Sequence, residues 1–429
     1  MGLPIFKQLS LQIPNTIPQS VYPSPSNNYF QQMTSLSLSK RFLLILGMIL
    51  VSFNFRPAIS SVPPLLELIK TDLNLSYFVA SLLTAIPTLS MGIFALLAVP
   101  FSRFFGREKA ILYAVFLIGI ATFSRLWGSN LFFLLGTTIV LGMGIAIAQT
   151  LLPSFVKAHF PNRAVSITGI YVTSLTLGAA VAAGFSVPLF SFFGDWTFSL
   201  AFWSIFAIIA LVVWFPLTLQ KRSETPIQVS ISSVFPKATW SHPWVWAISL
   251  FLALVTLIFY SVLSWISPLY ISLGWSANDA GLLLTVFLLT QLIGAASISV
   301  LADLNTDRRP WIFFSLVLSA IGLFAITMFP LLEPFLWVSL LGIGLGGIFP
   351  LSMTLPIDYS SDEKTAEKLT SIVLFFGYSL AAIGPSAIGL IRDIFGDYYL
   401  AFLSLFFINL IALIFTFKFK PGISISLSD

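Results

Sequence analysis

Of the 429 residues, 57% are hydrophobic and 9% charged, against roughly a quarter charged in soluble domains; this excludes a soluble globular chain and points to a membrane protein. There is no cysteine, which removes disulfides, thiol nucleophiles and thiolate metal sites, and the two histidines, His159 and His242, fall in predicted loops, so a histidine metal centre has no material either. The net charge of +5 is a matter of membrane orientation rather than of nucleic-acid binding; no cofactor is expected, and the partners are a small-molecule solute and the lipid bilayer.

Residues 1–39 are rich in Pro, Ser, Asn and Gln with almost no charge and read as a disordered cytoplasmic tail. They lack the order of a signal peptide, so the first apolar run reads as a retained span. Spanning a hydrocarbon core takes about 20 apolar residues in a helix, and continuous apolar runs without period-2 alternation select helices over a barrel. Twelve spans follow, at 41–66, 77–101, 110–128, 131–156, 166–190, 197–217, 244–268, 277–300, 311–329, 334–356, 367–391 and 398–417. With the N-terminus inside, 17 of the 21 basic residues lie on the cytoplasmic side, so the positive-inside rule places both termini in the cytoplasm of a cell (inner or plasma) membrane protein.

The first span contains FNFRPAISSVPP, residues 53–64. Arg56 costs at least about 2.5 kcal/mol at membrane depth and normally faces a cavity or a partner; the plain alternative is snorkelling to the outer interface. On a continuous helix Ser52, Arg56, Ser60 and Pro63 share a face that could be a water-lined wall, and Pro57 frees the carbonyl near residue 53. Arg125, in the third span, lies at similar depth and reads as snorkelling; Arg392 reads as an outer-interface residue beside Asp393.

The polar stretch 218–243 splits the chain into six spans plus six. GMGIA at 142–146 recurs as GIGLG at 342–346, and LLT at 82–84 recurs at 283–285. A near-constant offset at corresponding spans predicts a duplicated unit: an all-α integral membrane fold of twelve transmembrane helices in two pseudo-symmetric six-helix bundles. The expected domains are the tail 1–39, a bundle over 40–217, a central cytoplasmic loop 218–243, a second bundle over 244–418 and a cytoplasmic tail 419–429.

Two loops carry a further pattern, AVPFSRFFGREK (98–109) and VLADLNTDRRP (300–310). They resemble the loop motif of the major facilitator superfamily, the first copy having Ser102 where an acid is usual and the second retaining Asp303. The resemblance implies a gating loop of Ser102, Arg103, Gly106, Arg107, Asp303, Arg308 and Arg309, with Asp303 paired to Arg308 or Arg309; plain positive-inside anchoring is the alternative. NFRPAISSVPPLL (54–66), GMGIAIAQTLLPSFVKAHFP (142–161), YSVLSWISPLY (260–270), GIGLGGIFPLSMTLPID (342–358) and EKLTSIVLFFGYSLAAIGP (367–385) further resemble the cyanate permease family, whose members include cyanate and 2-nitroimidazole transporters. Leu374 departs from a glutamine common in that family.

Candidate solute-binding residues are Arg56, Gln149, Tyr171, Tyr260, Trp265, Gln291 and Tyr378; each aromatic has a packing or interface alternative, whereas an intramembrane amide such as Gln149 needs a partner. All sixteen acids fall at span ends, in loops or in tails, so no buried carboxylate relay is visible. A lone arginine suits an anion or an electron-rich planar solute. The expectation is a monomeric carrier, secondary active or facilitative, of a small anion or planar nitrogen compound of the cyanate or nitroimidazole type; a multidrug-type efflux carrier is the second reading. An enzyme is not expected, since no nucleophile and base pair lies within the spans.

Overall fold

The computed structural model describes residues 38–160, 164–219, 242–304, 307–360 and 363–419, and every regular element in them is helical. The expected tails and central loop therefore lie almost wholly outside the described residues. Twelve helices are long and apolar enough to cross a membrane: α1 (Arg41–Asp72), α2 (Tyr77–Phe105), α3 (Arg107–Trp127), α4 (Leu131–His159), α5 (Ile167–Phe193), α6 (Trp196–Thr218), α7 (Pro243–Ser272), α8 (Ala277–Ala302), α9 (Arg309–Met328), α10 (Pro334–Asp358), α11 (Leu369–Phe395) and α12 (Tyr399–Thr416). These are the twelve spans read from the apolar runs, differing by a few residues at their ends; His159 closes α4 rather than lying in a loop. Residues 45–429 form one compact unit, and the described part of residues 1–44 is the opening of α1.

Local chemistry sets the turns. Side chains accept the orphan amides of the first helical turn: Ser76 Oγ from Val79 N at 3.2 Å, Asn130 Oδ1 from Phe133 N at 3.1 Å, Asp195 Oδ1 from Thr197 N at 2.8 Å and Ser276 Oγ from Asp279 N at 3.1 Å. Between α2 and α3 the chain reverses at Gly106, whose φ of +83° favours glycine.

The duplication is visible atom by atom. Gly142 of α4 packs on α2, where an added Cβ would stand 2.7 Å from Pro87 O; two hundred residues on, Gly342 of α10 packs on α8, where the Cβ would stand 2.6 Å from Phe287 O. A Cβ added at Gly144 would stand 2.7 Å from Ala114 O of α3, and one added at Gly344 2.5 Å from Ser315 O of α9. The repeated glycines thus let α4 and α10 sit against two neighbours with backbone touching backbone, as small residues do in lipid, where apolar side chains gain little from leaving the bilayer. Each half closes with an arginine at the loop motif reaching the end of its central helix: Arg107 to Ser154 O at 3.3 Å, and Arg308 to Thr354 Oγ1 at 3.1 Å.

The repeat makes a stability prediction. Gly344→Val, which forces a side chain into Ser315 O and Ser319 N, costs about 1–3 kcal/mol by overpacking and lowers the apparent melting temperature in detergent, whereas Gly136→Ala, with open space at that position, leaves it unchanged or slightly raised. Differential scanning fluorimetry of the two variants checks this.

Candidate functional site

The site begins with a fault in α1. The helix runs from Leu38 to Phe53, breaks over residues 54–56, resumes for one turn at Pro57–Ser60 and continues through a 3-10 turn at Pro63–Leu65 into Leu66–Asp72. Three prolines without N–H groups explain it. At the first break Asn54 Nδ2 donates to Leu50 O at 2.7 Å and to Phe206 O of α6 at 3.1 Å, while Asn54 N and Phe55 N bond Val51 O and Ser52 O. Phe53 O, which Pro57 cannot serve, lies against Gly178 of α5, at a point where no side chain fits. At the second break Val62 N turns to Ile59 O, leaving Ala58 O without its helical donor. Arg125 supplies one: Nη1 donates to Ala58 O at 2.5 Å.

Arg125 is 1% exposed, so the expected snorkelling is incorrect. The reason lies in α1: the break leaves a carbonyl without its helical donor inside an apolar bundle, and the guanidinium turns inward to supply one, its Nε and Nη2 remaining without hydrogen-bond partners among the described residues. The continuous polar face through Ser52, Arg56, Ser60 and Pro63 is also absent, because the helix breaks within it; Ser52 Oγ is spent on Met48 O at 2.8 Å.

The break aims Arg56 into the bundle, 7% exposed. Nη1 donates to Tyr260 Oη of α7 at 2.5 Å, and the guanidinium carbon lies 5.3 Å from the Tyr260 ring centroid and 5.8 Å from that of Phe259, within the range of cation–π attraction. Tyr260 meets Tyr378 of α11 edge to face at 6.3 Å, and Gln149 Nε2 of α4 donates to Tyr378 Oη at 3.3 Å. Tyr171 of α5 joins through Phe55, ring to ring at 6.4 Å. Arg56, Gln149, Tyr171, Tyr260 and Tyr378 are therefore brought together from five spans and both repeats. No acid pairs with Arg56 among the described residues, and Gln149 Oε1 is buried there without a partner. No group of three or more metal-ligating side chains stands together among them either.

The other two candidates lie apart. Trp265 is fully buried with its indole N–H on Pro385 O at 2.8 Å, and the Gln291 backbone packs against Gly346 of α10. In the gating loops Arg103 is exposed, Gly106 N bonds Ser102 O at 2.8 Å, and Arg107 Nη2 meets Glu108 at 3.3 Å. Arg308 reaches Asp358 at 3.0 Å, and Arg309 holds Asp307 through contacts of 2.7 and 3.0 Å, a fork that keeps the Asp307 carboxyl below the usual carboxylate range. The Asp303 side chain lies outside the described residues.

Sequence reading missed the seal between the repeats. At the face where α12 begins, hereafter the far face, Asp393 at the end of α11 accepts from Tyr77 N and Phe78 N, both at 2.8 Å, so a carboxylate from one repeat caps the positive end of α2 in the other. Gly389 packs so closely on α2 that an added Cβ would stand 2.6 Å from Tyr77 O, Arg392 stacks on Tyr77 at 5.0 Å, Ser264 Oγ bonds Thr84 Oγ1 at 2.9 Å and Thr285 Oγ1 bonds Ala180 O at 3.2 Å. The only sequence hint was an acid directly after a span.

Twelve spans in two repeats, converging on an interior polar cluster and sealed at one face, are the architecture of a membrane transporter. The chain belongs to the Major Facilitator Superfamily, whose family model matches residues 44–276 and 253–424. It is 30% identical over 386 residues to the cyanate transport protein CynX of Escherichia coli (strain K12), covering 88% of this chain and 97% of that one. It is 32% identical over 387 residues to the 2-nitroimidazole transporter of the same organism, covering 89% and 96%. Among solved structures the D-xylose–proton symporter aligns with a TM-score of 0.70 at 17% identity over 89% of this chain and 97% of that one. The chain is thus a multi-pass membrane transporter of this superfamily and not an enzyme.

If Asp393 holds the far face shut, Asp393→Asn weakens the cap and opens it more often, by up to about tenfold in population. The chain has no native cysteine, so the rate at which a membrane-impermeant maleimide labels a buried Ala80→Cys reads this directly: a several-fold increase is expected in the Asp393→Asn background.

Proposed function

We propose that the protein carries a small anion or a planar nitrogen compound of the cyanate or nitroimidazole type, alternately exposing the Arg56 cluster to the two faces of the membrane. The observation that carries this reading is the Arg56 guanidinium, buried, permanently charged and held by the Tyr260 hydroxyl and the rings of Tyr260 and Phe259 rather than by an acid among the described residues. Burying an ion without a counter-charge is costly, and a solute bearing an anionic or acceptor pole supplies that charge. Gln149 Oε1, buried without a partner among the described residues, fits an N–H donor on the same solute, while the faces of Tyr260, Tyr378 and Phe259 fit a flat body. The names of the two Escherichia coli relatives support the same solute class.

In this reading both termini are cytoplasmic, the transporter works as a monomer in the cell membrane, and the functional units are the bundles 40–217 and 244–418 joined by the loop 218–243. The arginine pairs at the end of each loop motif would then serve the cytoplasmic contacts of the gate, and Leu374, one turn before Tyr378, leaves that stretch of α11 apolar. The efflux reading has no specific observation in its favour.

Uptake of labelled cyanate and of 2-nitroimidazole into proteoliposomes tests the proposal. Charge-assisted hydrogen bonds are worth about 1.5–3 kcal/mol, so Arg56→Ala should lower kcat/KM at least about tenfold, with Arg56→Lys intermediate because it keeps the charge and loses the fork. Unchanged transport by Arg56→Ala would remove Arg56 from the site. Orientation has its own check: a C-terminal green fluorescent protein fusion should fluoresce and a C-terminal alkaline phosphatase fusion should be inactive.

A further inference from the structure

A cavity lies away from the Arg56 cluster. It has a volume of about 340 Å³, sits at the far face within the second repeat, and is walled by the ends of α7, α9 and α11 and the start of α12. Its apolar wall includes Leu269, Ile326 and Phe402; its polar edge is Arg392 with Tyr398.

The polar edge is incomplete. Arg392 Nε and Tyr398 Oη are buried and make no hydrogen bond of good geometry among the described residues, the guanidinium and the phenol interacting with each other, and Tyr398 is 2% exposed. A buried polar atom left unmade is expensive, and two of them on one cavity wall, a cationic donor beside a hydroxyl, form half of a binding site for an oxyanion. Two of the three neighbouring acids are engaged by backbone amides. Asp393 is held by the amides of Tyr77 and Phe78. Asp397, also on the cavity, accepts from Tyr399 N at 2.9 Å in the turn before α12. Glu67, in the other repeat, accepts from Tyr77 Oη at 3.5 Å through one oxygen; its other oxygen is buried without a partner among the described residues, and the carboxylate lies within electrostatic reach of Arg392 without an ion-pair contact. No acid forms a salt bridge with Arg392 among the described residues.

We propose that this cavity binds an amphiphile with a carboxylate or phosphate head, the head taken by Arg392 Nε and Tyr398 Oη and the apolar body by the wall of Leu269, Ile326 and Phe402. The same head group could come from a soluble organic acid or from an anionic lipid of the outer leaflet. The position couples the site to the gate: the Arg392 guanidinium stacks at 4.8 Å on Tyr398 and at 5.0 Å on Tyr77 of the other repeat, and the next residue carries the far-face cap. A bound head group that fixes Arg392 therefore holds α11 against α2 and favours the sealed state.

The full-length protein in nanodiscs of zwitterionic lipid provides the test. Hexanoate and hexyl phosphate, with hexanol as the uncharged match, are added to one set, and a second set is doped with phosphatidylglycerol instead. The expected result is a rise in melting temperature of a few degrees with the anionic amphiphiles and not with hexanol, or with the doped lipid alone, the two arms separating a soluble ligand from a lipid. The rise persists in Arg56→Ala, which separates this site from the central one. It is lost in Arg392→Gln and, should that variant misfold, reduced in Tyr398→Phe and in Thr327→Leu, which narrows the cavity without touching the seal. No rise in either arm, a rise that survives both Arg392→Gln and Tyr398→Phe, or a rise that disappears in Arg56→Ala overturns the proposal.

Discussion

The break in α1 is the constraint from which the rest of the site follows. Within a bilayer every backbone carbonyl needs a donor, and Pro57, Pro63 and Pro64 remove three donors from one span. The protein answers the break from several directions: Asn54 folds back on Leu50 O and holds Phe206 O, Arg125 reaches in from α3 and donates to Ala58 O, and α5 packs Gly178 closely on Phe53 O. Each contact fixes a neighbouring helix to the broken one. Together they hold Arg56 off the axis a continuous helix would give it and direct it toward Tyr260.

Two arginines at comparable depth are thereby put to different uses. Arg125 completes backbone hydrogen bonding within the first repeat, whereas Arg56 crosses to the second, its guanidinium shared between a phenol and two ring faces. A link from α1 to α7 through one hydrogen bond can be broken and remade as the repeats move. The far-face seal has the same character: the Asp393 cap joins α11 to α2 by two hydrogen bonds to exposed backbone amides. The repeats are held internally by close glycine contacts and to one another by polar contacts, a division suited to two rigid bodies that rock about a central site.

Much of this was legible in the sequence. Continuous apolar runs fixed the number of spans, and the GMGIA and GIGLG recurrence marked a duplication whose physical reason, close approach of α4 to α2 and α3 and of α10 to α8 and α9, the structure supplies. Arg56 stood out because a charge in an apolar run is itself a signal. Its partners did not: with 43 Phe, 11 Tyr and 11 Trp in the chain, selecting Tyr260 and Tyr378 while leaving Trp265 to packing needs the three-dimensional arrangement. Arg125 was misread because depth counted along its own helix says nothing of a carbonyl exposed by prolines in another. The Asp393 cap was missed because its partners are backbone amides, which leave no mark on side-chain pattern.

The central claim is that the solute is the counter-charge of Arg56. Isothermal titration of cyanate and 2-nitroimidazole into the purified wild-type protein and an Arg56→Gln variant, which keeps a polar side chain and removes the charge, tests it most directly. The account predicts saturable binding of at least one of these solutes to the wild type and its loss in Arg56→Gln with folding intact; equal binding by both proteins would contradict it.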